Sequence, residues 1–335
     1  MSAICGAAER RVGEGGEDVR RVRRDQLTTI EGGVEADRVT IAQHCTPRHG
    51  VAIVHVLDSD NPCTGRAPEQ RMRAMNKGEL VLLYQPKVEC GSRRIVGAEA
   101  VAAWQHPQWG LIAPVDFVGL AVNQERIHQI GRWEVDRACA QLSEWHRAGN
   151  ADWTIAVDIS SVQLQHPDFC GNVRDALRQN GIAADKLILD VAESCLMQQS
   201  DVCRNALLDL FADGVQIALE GFGNRVTSLA RLKRLPINEL KIDPVFVADV
   251  DRNTVDSEIV SSIVTLGAIL GLRVVAEGVE RLEQFRAVEM LVCDQTQGLL
   301  HAPAISGDEF LLRFGLQKHA GAAVAPSGTK EVAFG

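Results

Sequence analysis

Residues 217–223 read IALEGFG. The run 215–219 (VQIAL) is too short for a helix and is bounded by Gly214 and Gly221, so it reads as a strand. That strand leads straight into Glu220. A carboxylate where a buried strand emerges is unfavourable unless it holds a metal, a partner or a substrate. The next residue, Gly221, offers no side chain at all. What Glu220 supplies and Gly221 withholds decides how the chemistry is read.

Outward from this stretch the same unit repeats. Short apolar runs fall at 80–85, 95–102, 153–159, 187–192, 215–219, 240–242, 273–276 and 292–297. Amphipathic segments separate most of them, at 132–148, 168–179, 202–211, 256–270 and 282–291. Strands alternating with helices predict an α/β fold with a largely parallel sheet under helices. Eight strand candidates in succession predict a TIM-like (β/α)8 barrel rather than two domains.

Each strand candidate from the second onward ends on a polar residue. Glu99 ends the second, Asp158 the third, Asp190 and Glu193 the fourth and Glu220 the fifth. Lys241, Glu277 and Gln297 follow on the sixth, seventh and eighth. Taken singly, a strand-end carboxylate is more often a helix cap or a solvated loop residue. Recurrence on successive strands instead predicts a site at the C-terminal face, where barrel active sites lie. Oxygen ligands grouped with a lysine suit Mg²⁺ or Mn²⁺ rather than zinc. A pair of such ions, about 3.5–4 Å apart, activates water for in-line attack on a phosphodiester. Metal-assisted phosphodiester hydrolysis is the reaction class this layout suggests.

The totals set the frame. The chain has 335 residues, 46% of them hydrophobic and 24% charged, enough for a large core. A net charge of −9 argues against DNA or an anionic membrane as the main partner. Nine cysteines without a tight CxxC pair read as reduced thiols. No apolar run approaches the ~20 residues of a membrane helix, and MSAICGAAERRVGEGG at the start lacks a secretory h-region. A cytoplasmic protein is the expectation. Residues 1–70 read as a short, poorly defined N-terminal extension, 75–315 as the barrel and 316–335, rich in Ala and Gly, as a disordered tail. The extension mixes Arg with Glu and Asp, and carries one clear strand at 51–57 (VAIVHVL). His44, Cys45 and His49 lack an evident fourth ligand, so a metal site there is the weaker reading.

A family resemblance rests on motifs in fixed order: LYQPKV (83–88), IVGAEAVAAW (95–104), His106–Pro107, IGRW (130–133), Gln163–Leu164, LKRLPINELK (232–241), VVAEGVE (274–280) and Gln297–Gly298. From about 78 to 314 the chain resembles an EAL domain. The resemblance implies a barrel with an antiparallel first strand and hydrolysis of cyclic di-GMP to linear pGpG by two Mg²⁺ or Mn²⁺ ions. Carried over residue by residue, Glu99 matches a metal ligand, Lys241 the lysine that positions the attacking water, and Glu277 the glutamate of the second-metal region. Gln297 matches the glutamine near that water, and Glu193 the glutamate that steadies the loop after strand five. Gln85, Glu99, Lys241 and Glu277 are the residues expected to contact the ligand.

Other positions depart from the family. Asp158 stands for an asparagine ligand, Asp190 for a glutamate and Glu220 for the aspartate that bridges the metals. Gly221 replaces the second aspartate, which serves the second metal. Ala103 replaces a ligand-touching arginine, and Asn224, Arg225 and Val226 replace the family's loop sequence. Glu99, Asp158, Asp190 and Glu220 keep hard oxygens, so Mg²⁺ or Mn²⁺ is expected at reduced occupancy or not at all. The reading is a degenerate EAL module acting as a cyclic di-GMP receptor or through a protein partner, with a homodimer implied by the resemblance. The alternative is a weak Mg²⁺/Mn²⁺-dependent phosphodiesterase.

Overall fold

The computed structural model describes residues 41–45, 52–56, 78–107, 110–112, 124–192, 195, 201–223 and 229–315. Two compact units divide the chain: 1–46, 51–80 and 103–122 in one, and 47–50, 81–102 and 123–335 in the other. In the first, β1 (Ile41–Cys45) pairs antiparallel with β2 (Ala52–Val56), the strand expected at 51–57. His44 and Cys45 lie on β1, whereas His49 is outside the described residues. This unit also holds the end of β4 (Ile95–His106), where Trp104 to His106 pair antiparallel with β5 (Gly110–Ile112).

The second unit is the barrel. Eight strands close a ring: β3 (Leu80–Glu89), β4, β6 (Thr154–Ile159), β7 (Leu187–Ala192), β8 (Gln216–Phe222), β9 (Glu239–Ile242), β10 (Arg273–Ala276) and β11 (Gln295–Gln297). Neighbours from β4 through β11 run parallel, while β3 lies antiparallel to β11 and completes the ring by pairing with β4. The antiparallel first strand follows from its connection. β3 and β4 are joined by a tight turn in which the Arg93 N–H donates to the Glu89 carbonyl at 2.8 Å. A parallel pair needs a longer crossover.

The helices are α1 (Gln124–Arg147), α2 (Ser161–Leu164), α3 (Phe169–Asn180), α4 (Asp201–Ala212) and α5 (Leu229–Leu232), followed by α6 (Pro244–Val247), α7 (Thr254–Leu270), α8 (Leu282–Met290) and α9 (Gly307–Phe314). Their apolar faces cover the strands in one large core. Within it Trp145 of α1 stacks on Phe310 of α9, with centroids 4.6 Å apart, and meets Trp153 edge-on at 5.5 Å. A separate small cluster of Ala156, Ile188 and Ala218 comes from adjacent strands. Side chains two apart on a strand share a face. The next residues on that face are therefore Asp158, Asp190 and Glu220, at the strands' C-terminal ends.

Several boundaries differ from the sequence reading: β3 runs to Glu89 rather than 85, β4 to His106 rather than 102 and β8 to Phe222 rather than 219. α1 starts at Gln124, about two turns before the expected residue 132. Only Gln295–Gln297 of the expected 292–297 strand is extended. Val292 instead takes a left-handed φ of 61° just beyond α8, which breaks the run.

Candidate metal and ligand site

Lys241 is the centre of the barrel mouth. Its buried ammonium donates to Glu99 Oε2 and Asp190 Oδ2, both at 2.6 Å, and lies 2.9 Å from Glu277 Oε1 and 3.6 Å from Glu220 Oε1. The Gln297 amide nitrogen donates to Gln85 Oε1 at 2.9 Å and to Glu99 Oε2 at 3.0 Å. Gln85 in turn donates to the Ala302 carbonyl at 3.3 Å. Side chains from β3, β4, β7, β8, β9 and the ends of β10 and β11 thus meet within one network. Asp158 ends β6 beside them and is the exposed member.

Local structure fixes these positions. Directly after Asp158 the chain turns into α2 through a capping box, with the Ser160 N–H donating to Gln163 Oε1 at 2.6 Å. Gly131 of the IGRW motif allows this: a Cβ there would lie 1.8 Å from Gln163 Nε2. After Lys241, Asp243 caps α6 by accepting the Val245 N–H at 3.0 Å.

Glu220 and Gly221 sit on a bulge. Leu219 pairs with Leu240 but Phe222 pairs with Ile242, so β8 carries an extra residue opposite Lys241. Gly221 takes a left-handed φ of 65° there. A Cβ at Gly221 would meet only Asp243 Oδ2, at 3.6 Å, an ordinary contact.

The electrostatics are unbalanced. Five carboxyl groups, on Glu99, Asp158, Asp190, Glu220 and Glu277, surround one ammonium. Burial pushes Asp190 up to about 8; Lys241 pulls against this and Glu99 adds to it. Although Asp158 reaches solvent, close packing of protein around its carboxyl, and then Glu220, Glu99 and Asp190, hold it well above the usual carboxylate range. Burial alone would lower the Lys241 ammonium, but Asp190, Glu277, Glu99 and Glu220 together hold it above its ordinary value. One lysine shared among so many acids leaves none of them fully compensated.

The donor set fits a hard divalent cation. Glu99, Asp158, Asp190 and Glu220 each bring an oxygen within 4.8 Å of the others. Asp190 is 1% exposed, and its Oδ1 has no hydrogen-bond partner. A bound cation would supply Lewis acidity and charge neutralisation at this mouth.

Most of the expected site residues therefore converge. Gln85, Glu99, Asp158, Asp190, Glu220, Lys241, Glu277 and Gln297 all face the mouth. Ala103 is buried on β4. Glu193, Asn224, Arg225 and Val226 lie outside the described residues, as does the tail expected at 316–335. Sequence reading missed Lys87, whose buried ammonium donates to Glu239 Oε1 at 2.5 Å across the barrel interior. Arg273 closes that group, 3.2 Å from Glu239 Oε2. A signal for their inward orientation was available: Lys87 follows Gln85 by two residues on β3 and Glu239 precedes Lys241 by two on β9, so each shares its neighbour's inward face.

The barrel agrees with known proteins. The chain belongs to the EAL domain family, which matches residues 69–304. It is 41% identical over 239 residues to the bifunctional diguanylate cyclase/cyclic di-GMP phosphodiesterase MucR of Pseudomonas aeruginosa, covering 71% of this chain and 35% of that protein. It is 35% identical over 246 residues to the cyclic di-GMP phosphodiesterase NbdA of the same organism, covering 72% and 31%. The solved PaMucR phosphodiesterase in complex with c-di-GMP superposes with a TM-score of 0.70 at 40% identity, over 74% of this chain and all of that one. The chain spans about a third of the length of the curated relatives it matches. No helix among the described residues is long and apolar enough to cross a membrane.

Proposed function

We propose that this domain binds cyclic di-GMP and hydrolyses it poorly, acting as a receptor or regulator within the signalling system. The observation that carries the reading is Gly221. In the family the matching aspartate serves the second metal, whereas here the bulge holds a glycine whose nearest neighbour on the open side is Asp243 Oδ2. A two-metal clamp that loses a ligand loses stabilisation the transition state needs more than the ground state does. Hydrolysis slows by orders of magnitude while contacts to the bound dinucleotide remain. Gln85, Glu99, Lys241 and Glu277 stay grouped at the mouth, which supports a retained pocket.

Calorimetric titration with cyclic di-GMP, once in Mg²⁺ and once in EDTA, tests this. Saturable binding without release of pGpG is the expected result, and binding in both buffers makes the receptor metal-independent. Absence of heat in both buffers overturns the reading and directs attention to a protein partner or a second copy of the chain.

A second reading, a residual Mg²⁺- or Mn²⁺-dependent phosphodiesterase, is favoured by the intact contacts of Lys241 with Glu99 and Glu277 and of Gln297 with Glu99. Product that rises with added Mn²⁺ and vanishes in Lys241→Ala would support it.

A further inference from the structure

We propose that Cys90 and Cys293 form a reversible disulfide that staples β3 to β11 at the end of the barrel opposite the mouth, by exchange with a small-molecule disulfide such as oxidised glutathione. The two cysteines stand about 200 residues apart in sequence. The strand seam brings them together. Glu89 pairs with Gln295, and one step further the Cys90 N–H donates to the Asp294 carbonyl at 2.9 Å. Cys293 is the next residue along, and the two thiols hydrogen-bond to each other. Both are buried, and neither is in a disulfide. The Cys293 sulfur also lies 3.3 Å from the Val274 carbonyl and 3.4 Å from that of Gln295, which fixes it beside the seam. Opposed residues in an antiparallel ladder have Cα atoms about 4.5–5.5 Å apart, and a disulfide spans about 4.4–6.8 Å, so cysteines adjoining such a pair need little backbone movement.

The two thiols have different parts. Cys90 lies one residue past the end of β3, between exposed Glu89 and exposed Gly91 in the tight turn to β4, so a reagent reaches it when that turn opens. Its thiolate attacks the small disulfide, forming a mixed disulfide and releasing one small thiol. The Cys90 thiol, and then burial, push Cys293 well above its ordinary value. Converting Cys90 to a mixed disulfide removes the first of these causes. Cys293 then attacks the Cys90 sulfur and expels the second small thiol. Two protein thiols are oxidised, one small disulfide is reduced, and the two protons leave on the two released thiols. The bond strengthens the ring where it closes most thinly. β11 is the shortest of the eight strands, with two residue pairs to β10 and three to β3. A link across about 200 residues also restricts the unfolded chain strongly. Further along the same two strands the Gln297 amide donates to Gln85 at the mouth, so the staple and the site share one seam.

The test needs neither nucleotide nor metal. The full chain, reduced and then freed of reductant, is incubated with oxidised glutathione without denaturant, and its non-reduced tryptic peptides are mapped. A linked pair of peptides holding Cys90 and Cys293 is expected, two hydrogens lighter than the reduced peptides together. This map is read on the parent protein, so it stands whether or not a variant folds. The thermal midpoint should rise by at least about 5 °C over that of Cys90→Ala treated alike, and the gain should vanish when dithiothreitol is added. Cys293→Ala should lose the linked pair and keep glutathione on Cys90. Absence of the linked pair in the parent protein overturns the proposal, whether Cys90 keeps its glutathione, bonds to a different cysteine or stays unreacted. A pair that forms only in denaturant, or one that leaves the midpoint where it was, overturns it equally.

Discussion

Glu239 and Lys241 stand two residues apart on β9, both fully buried inside the barrel, yet in opposite electrostatic company. At Glu239 one acid meets two bases, Lys87 at 2.5 Å and Arg273 at 3.2 Å. Burial would raise Glu239, but Lys87 and then Arg273 outweigh it and hold the carboxyl below its usual range. At Lys241 one base meets four carboxylates, with Asp158 beside them, and Asp190 is pushed up to about 8. The first group is closed and needs nothing further. The second carries an excess of acid that only protons or a cation can relieve. Burial alone does not mark a functional site; burial without compensation does.

The comparison is broken most severely at its closed end. Lys87→Met strands a buried carboxylate that Arg273 reaches from one side only, so stability should fall by about 3–5 kcal/mol in urea denaturation. Asp190→Asn at the open end should move metal-free stability by less than about 1 kcal/mol, since the remaining acids still share Lys241. Equal losses in the two variants would dissolve the distinction.

Acid sharpens it next. His301 pairs with Thr296 Oγ1 at 2.9 Å, and burial lowers its pKa to about 4. The unfolded imidazole binds its proton near pH 6.5, so the unfolded state takes up more protons between that value and about 4. Stability is therefore complete above that window and is lost as pH falls through it, by about 3 kcal/mol in all. His301→Gln should flatten this part of the pH–stability curve; an unchanged slope would remove His301 from the account.

The smallest expected effect lies on the outer surface. Val292 is exposed and β-branched, yet holds a left-handed φ of 61°. Such a residue there is a strained outlier. Val292→Gly should gain about 0.5–1 kcal/mol, the relief of strain being partly offset by a freer unfolded chain. A lower thermal midpoint would contradict that.

Much of this was legible in the sequence, for a definite reason. The strand ends repeat a two-residue rule, so Ala156 to Asp158, Ile188 to Asp190 and Ala218 to Glu220 read as interior plug followed by site. Motif order did the same for Glu99, Lys241, Glu277 and Gln297. Less legible were features that depend on pairing across the barrel. Nothing local ties Lys87 to Glu239, which lies 152 residues away. The 292–297 run looked like a strand because its side chains suit one; only the left-handed turn at Val292 denies it. The first turns of α1 escaped because QERIHQI carries little apolar periodicity before Gly131. The relation of Gly221 to Asp243 needed the bulge, which no pattern of residue types announces.

The central claim is that the mouth binds its dinucleotide but lacks the carboxylate that would let it cut. Its most direct test is a single-turnover assay, with cyclic di-GMP incubated under excess protein and Mn²⁺ and the nucleotide then analysed. The account predicts intact cyclic di-GMP recovered from the protein, with no more pGpG than Lys241→Ala yields. Rapid, complete conversion to pGpG by the parent protein, lost in Lys241→Ala, would contradict it.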